Sequence, residues 1–129
     1  MSTRCQVIVC DATDKIWFYH HWDGYPSAMI PQLQRFLNHV RAGLIRDNAE
    51  QAAGWLLRDH LVDNSVPGYA WKASDYEPCA ARLHGDIEWL YRVNVATKTL
   101  AQAKVAYDSN WRIKPLSQQV FVDADATAE

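Results

Sequence analysis

The densest set of chemistry-capable residues in this sequence is the run His20-His21-Trp22-Asp23-Gly24-Tyr25-Pro26, two imidazoles and a carboxylate set among large aromatics. Imidazole with carboxylate suits zinc, manganese or iron, or a His–Asp pair acting as a general base. His20 and His21 are neighbours on a predicted strand and point to opposite faces, so the two cannot share a metal without a bend. His21 and Asp23 share a side. His84 and Asp86, just ahead of a later strand, would complete a mononuclear site. This gives the alternative reading of a small metal-assisted hydrolase or nuclease using His21, Asp23, His84 and Asp86. None of these residues is spaced as in His-x-x-x-His or His-Glu-x-x-His. The preferred account is structural: Asp23-Gly24 makes a turn with the carboxylate on backbone N–H groups, Trp22 and Tyr25 pack over the hairpin, and Pro26 sets a helix entry. No catalytic residue, metal or cofactor is assigned on that account, and an enzyme is not the leading expectation.

Other chemistry is thinner. The serines lack a Gly-x-Ser-x-Gly context, and the few glycines form neither a phosphate loop nor a dinucleotide fingerprint. Cys5, Cys10 and Cys79 are odd in number and show no Cys-x-x-Cys spacing, the pattern of buried thiols in a reducing compartment. Arg35, Arg41 and Arg46 with His39 lend the first helix and its exit a basic character suited to an acidic partner or a phosphate, although a solvated helix face is the preferred account. The aromatics say more. Six tryptophans and six tyrosines are many for 129 residues, and these types dominate protein–protein hot spots. Trp22, Tyr25, Tyr69, Trp71 and Tyr76 are therefore the candidate partner contacts.

The elements that must position these residues follow from periodicity. Residues 3–10 alternate and are β-rich, 11–15 form a polar turn, and 16–21 form a second strand, giving a hairpin with apolar groups on both faces. Ile30, Leu33, Phe36, Leu37, Val40 and Leu44 mark one stripe of a first helix, with Ser27 as N-cap, Pro31 within the first turn and Gly43 near its end. Asp47 and Asn48 open a second helix, with Glu50 and Gln51 in capping-box register, ending near Leu61. Residues 62–85 read as a long loop, the kind that is often functional, with an edge strand at Tyr69 and Trp71. Residues 87–95 and 100–107 form a second hairpin, with short strands expected near Trp111 and Val120.

The fold class expected is α+β, an antiparallel sheet from two β-hairpins with two helices packed on one face; two separate small sheets remain open. Residues 1–122 form a single domain and 123–129 a disordered acidic tail. The length suffices for a core without disulfide or metal staples. A net charge of −2 and a pI near 6.2 give no case for direct nucleic-acid binding. No segment approaches a membrane span and no apolar signal region precedes the first strand, so a cytoplasmic location is expected.

With these residues in view, the N-terminal third resembles a group of small, mostly uncharacterised proteins common in bacteriophages, prophages and bacteria. The likeness rests on Thr3-Arg4-Cys5 leading an alternating strand, and on His21-Trp22-Asp23-Gly24-Tyr25-Pro26. The late hairpin, from Gly85-Asp86-Ile87 to Tyr91, is similar to the group's C-terminal part, whereas residues 46–83 have no counterpart. The resemblance implies a compact α+β fold and a phage or mobile-element origin, and it carries no reaction. It points to an accessory protein that binds and inhibits a host protein or ribonucleoprotein complex, a counter-defence role such as anti-CRISPR activity. A homodimer with the aromatics at its interface is the remaining alternative.

Overall fold

The computed structural model describes residues 3–59 and 76–124. In chain order these form β1 (Cys5–Cys10), β2 (Lys15–His20), α1 (Pro26–Arg41), α2 (Ala49–Asp59), β3 (Glu77–Cys79), β4 (Trp89–Asn94), β5 (Thr99–Lys104), a 3-10 turn at Leu116–Gln118, and β6 (Val122–Asp123). The fold is α+β. Both expected hairpins are present and share one six-stranded sheet, in the order β3-β2-β1-β4-β5-β6.

The sheet is mixed, which corrects the expectation of a purely antiparallel one. Cys5 pairs with Trp89 and Cys10 with Asn94, so β1 and β4 run parallel, while every other pairing is antiparallel. Local periodicity dictates each hairpin, but the path between them sets their mutual direction. The chain leaves β3 on one edge and crosses beneath β2 and β1 to enter β4 on the far side of β1.

Buried Gln6 fixes that crossing. Its Nε2 donates to the Arg82 carbonyl at 2.9 Å and its Oε1 accepts from the His84 N–H at 2.9 Å. The crossing backbone has no strand beside it there, so a side chain serves as its hydrogen-bonding partner. Gln119 does the same farther on, accepting from the Ala106 N–H at 2.8 Å and donating to the Lys114 carbonyl at 2.9 Å.

The sheet is covered on both faces. Cys5, Val7, Val9, Phe18, Tyr91 and Val93 meet both helices through Leu33, Leu37, Val40, Ala52 and Leu56. On the opposite face Ile8, Trp17, Tyr19, Leu90 and Ala103 lie under irregular chain contributed by Leu83, Ile87, Val105 and Leu116. Every residue of β1 is consequently buried, as expected for a strand that is apolar in near-continuous sequence.

The helix ends differ in part from expectation. Tyr25, not Ser27, is the N-cap of α1, without a side-chain bond, and Pro26 takes the first position, where a missing N–H costs nothing. The helix stops at Arg41 and Gly43 adopts φ 77. Leu44 thus leaves the stripe and is exposed. Asn48 Oδ1 accepts the Gln51 N–H at 3.1 Å, capping α2 as the sequence suggests.

A second cap comes from the β1–β2 turn. Asp11 Oδ2 accepts the Ala49 N–H at 2.9 Å, while Oδ1 accepts the Thr13 and Asp14 N–H groups at 2.9 and 2.8 Å. These backbone donors, Ala49 foremost, hold its carboxyl at a pKa of about 2.

Pairing of β6 with β5 extends through Asp123, the first residue of the expected tail, and the Ala124 N–H bonds the Leu100 carbonyl at 2.9 Å. Residues 125–129 lie outside the described residues. No strand forms at Trp111, where a tight turn is closed by a bridge between Tyr107 and Ile113. Among the described residues no helix is long and apolar enough to cross a membrane.

Candidate interaction surface at the Trp22–Tyr25 turn

The His-Trp-Asp-Gly-Tyr-Pro run joins the end of β2 to the start of α1, and its backbone is clamped at Gly24. The Gly24 N–H donates to the Thr3 carbonyl at 2.8 Å. A Cβ at Gly24 would lie 2.9 Å from both Cys5 Cβ and the Thr3 oxygen, so only glycine fits against β1. From β4, the buried Tyr91 hydroxyl donates to the Gly24 carbonyl at 2.7 Å. Burial raises the Tyr91 phenol pKa above its ordinary value, which keeps it protonated and donating. Asp23 reaches this approach with φ 49, a left-handed conformation that Asp tolerates better than most residues. The Tyr25 carbonyl then accepts the Ala28 and Met29 N–H groups at 3.1 and 3.0 Å, starting α1.

The structural account of this run holds for its glycine and proline and needs correction for its aromatics. Trp22 is 59% exposed and Tyr25 41% exposed, so neither is buried against the hairpin. The close approach at Gly24 turns the flanking side chains outward. The Asp23 carboxylate is likewise exposed and accepts none of the hydrogen bonds seen among the described residues.

A polar cluster lies on the sheet face opposite the helices. Tyr19 donates to Asp86 Oδ2 at 2.6 Å, and Arg4 Nε stands 3.6 Å from the same oxygen. The His84 ring lies 4.4 Å from the Tyr19 ring, and the His21 ring meets it edge-on at 4.6 Å. His21 Nε2 is 2.8 Å from Glu77 Oε2, across the Tyr19–Glu77 strand register. Burial first, and then the bond to Asp86, raise the Tyr19 phenol pKa, so this hydroxyl does not serve as a base near neutral pH.

Three of the four proposed catalytic residues, His21, His84 and Asp86, are thus gathered around Tyr19. Asp23 has no hydrogen bond or ion pair to them. The gathering does not make a metal centre: among the described residues no three His, Cys, Asp or Glu side chains are placed to hold an ion. His21 and Asp86 are instead directed at Glu77, Tyr19 and Arg4.

Of the remaining aromatic candidates, Tyr69 and Trp71, with their expected edge strand, lie outside the described residues. Tyr76 is described and 1% exposed. Its hydroxyl donates to Gln32 Oε1 at 3.1 Å and its ring packs edge-on against Phe18 and His20. Tyr76 is a core residue and offers no contact surface.

Sequence reasoning missed Trp111. It is 84% exposed and adopts φ 61. Asp108 Oδ1 holds its turn by accepting the Asn110 and Arg112 N–H groups at 2.8 and 3.0 Å. The signal was present in Asp108-Ser109-Asn110, a turn-forming triplet that should outweigh the β-propensity of Trp111-Arg112-Ile113.

No family model, curated protein or solved structure matches the chain. The geometry of the turn is therefore the main guide to its use.

Proposed function

We propose that this chain is a non-enzymatic binding protein that docks a macromolecular partner through Trp22 and Tyr25. The observation that carries the reading is two large aromatics held outward on a turn whose backbone is clamped at Gly24 from β1 and from Tyr91. Aromatic side chains have few rotors, and a fixed backbone lowers the entropy lost on docking. Such residues are the usual anchors of protein interfaces.

The resemblance to phage and prophage proteins supports a finer version. In it the partner is a host protein or ribonucleoprotein complex, and binding inhibits it as part of counter-defence. The test is a tagged capture from a bacterial host lysate, with mass-spectrometric identification, run beside a Trp22→Ala/Tyr25→Ala variant. The expected result is one host complex captured by the parent and lost by the variant while both remain folded. Equal capture by the two proteins would remove the turn from the interface. If the captured complex keeps full activity, binding stands and inhibition does not.

A further inference from the structure

The sheet face opposite the helices is covered by two irregular segments, the crossing chain ahead of β4 and the chain that follows β5. Between them a cavity of about 350 Å³ opens, lined by Trp17 of β2 and by residues 81–83 and 113–116. That volume lies at the small end of the range for ligand sites. None of these lining residues belongs to the Trp22–Tyr25 turn. Trp17 is buried, while Leu83, Ile113 and Leu116 pack against the same apolar cluster and stay half-buried, so the walls are mostly apolar.

Two cations interrupt that lining, the exposed Arg82 and the half-buried Lys114, and no carboxylate stands among the described lining residues. Among the described residues no hydrogen bond or ion pair engages either charged group. Their backbones, in contrast, are pinned. Buried Gln6 donates to the Arg82 carbonyl at 2.9 Å, and buried Gln119 donates to the Lys114 carbonyl at 2.9 Å. The two glutamines that fasten the irregular segments thus fasten them at the two residues that bear the charges. An apolar hollow with a few charged groups at fixed positions is the usual make-up of a small-molecule site. With no counter-charge in the lining, complementarity calls for an anion on the ligand.

We propose that this cavity binds a small arylalkanoate, a monocarboxylate with an apolar body. The body lies against Trp17, Leu83, Ile113 and Leu116, and Arg82 and Lys114 take the carboxylate. The guanidinium meets both carboxylate oxygens through its planar fork of donors, and the ammonium adds a point charge. Because Arg82 is exposed, the charged part of the affinity falls as salt rises, whereas the apolar part does not.

The probe is phenylbutanoate, titrated into the full chain and followed by amide nitrogen–proton NMR. Saturable shifts at Arg82, Leu83 and Leu116, with a Kd below about 1 mM at low salt, are expected. Phenylbutanamide, the same body without the charge, and butanoate, the same charge with little body, should each bind at least roughly tenfold more weakly. Arg82→Gln combined with Lys114→Gln should reduce phenylbutanoate to the affinity of its amide with unchanged urea unfolding, since neither side-chain charge is engaged among the described residues. Ala81→Trp, at an exposed position on the cavity wall, should fill the hollow and weaken acid and amide alike. The proposal is overturned by an absence of saturable shifts at several millimolar phenylbutanoate, by an affinity no better than that of the amide or of butanoate, or by binding that survives the Arg82→Gln/Lys114→Gln change.

Discussion

Replacing Tyr91 by Phe deletes one oxygen and tests the clamp on which the exposed turn depends. Tyr91 is fully buried, and its hydroxyl lies 2.7 Å from the Gly24 carbonyl. The phenylalanine ring refills nearly the same space, so the main effect is a buried acceptor left without its donor, a loss of about 1–3 kcal/mol. For a chain of 129 residues this corresponds to a melting temperature lower by roughly 3–12 °C. Gly24→Ala attacks the same contact sterically. Its Cβ would sit 2.9 Å from Cys5 Cβ and the Thr3 oxygen, so the turn must lift off β1 at a cost of about 2 kcal/mol or more. Because lifting the turn also breaks the Tyr91 bond, the double variant should lose less than the sum of the two single changes. Urea unfolding followed by far-ultraviolet circular dichroism gives all three free energies, and hydrogen exchange at the Gly24 amide reports the local opening. A Tyr91→Phe loss below about 0.5 kcal/mol with unchanged Gly24 exchange would refute the clamp, and with it the rigidity attributed to Trp22 and Tyr25.

Gln6→Leu keeps the volume but strands the His84 N–H and Arg82 carbonyl, and should cost about 2–4 kcal/mol in urea unfolding. Near-parental stability would mean that the crossing segment is held by other groups. The folded-state pKa of Asp11, near 2, lies below the ordinary aspartate value of about 3.9. Its stabilising contribution is thus fully present above about pH 4 and is lost as pH falls toward 2. Asp11→Asn should flatten that part of the acid-unfolding profile, and an unchanged profile would remove Asp11 as the source. Trp111→Asn should raise stability by about 0.5–1 kcal/mol, because Asn relieves a left-handed backbone and the indole makes little buried contact. A clear loss would assign Trp111 a packing role. Trp22→Ala/Tyr25→Ala should alter stability by less than about 1 kcal/mol, both side chains being exposed.

Elements whose partners are close in sequence were legible from the residues. Both hairpins, both helices and the Asn48 cap follow from period and capping chemistry. The parallel β1–β4 pairing was not legible, because its direction depends on a crossing segment with no periodicity, pinned by Gln6. Leu44 fits a helical stripe, yet Gly43 in a left-handed conformation ends that stripe first. At the candidate site the special backbone of Gly24 was readable, but the exposure of Trp22 and Tyr25 was not. Exposure depends on how tightly Gly24 seats against β1, a tertiary contact with Thr3 and Cys5. His21, His84 and Asp86 each contact Tyr19 rather than one another, and Tyr19 carried no sequence signal. Tyr76 misleads because its type suits an interface as well as a core, and only packing distinguishes the two.

The parallel pairing also governs the birth of the chain on the ribosome. β1 emerges ahead of the other strands of this sheet, is apolar on both faces and finds β2 at once, but its other edge waits for β4, whose Trp89 pairs with Cys5. Throughout that interval a Val-Ile-Val edge stands open to strand addition by neighbouring nascent chains. Gln6, the one polar residue within β1, breaks the apolar run of that strand on one face. The amide that anchors the crossing segment in the finished protein thereby tempers self-association in the unfinished one, so overproduced Gln6→Leu chains should accumulate in the insoluble fraction beyond what their equilibrium stability accounts for.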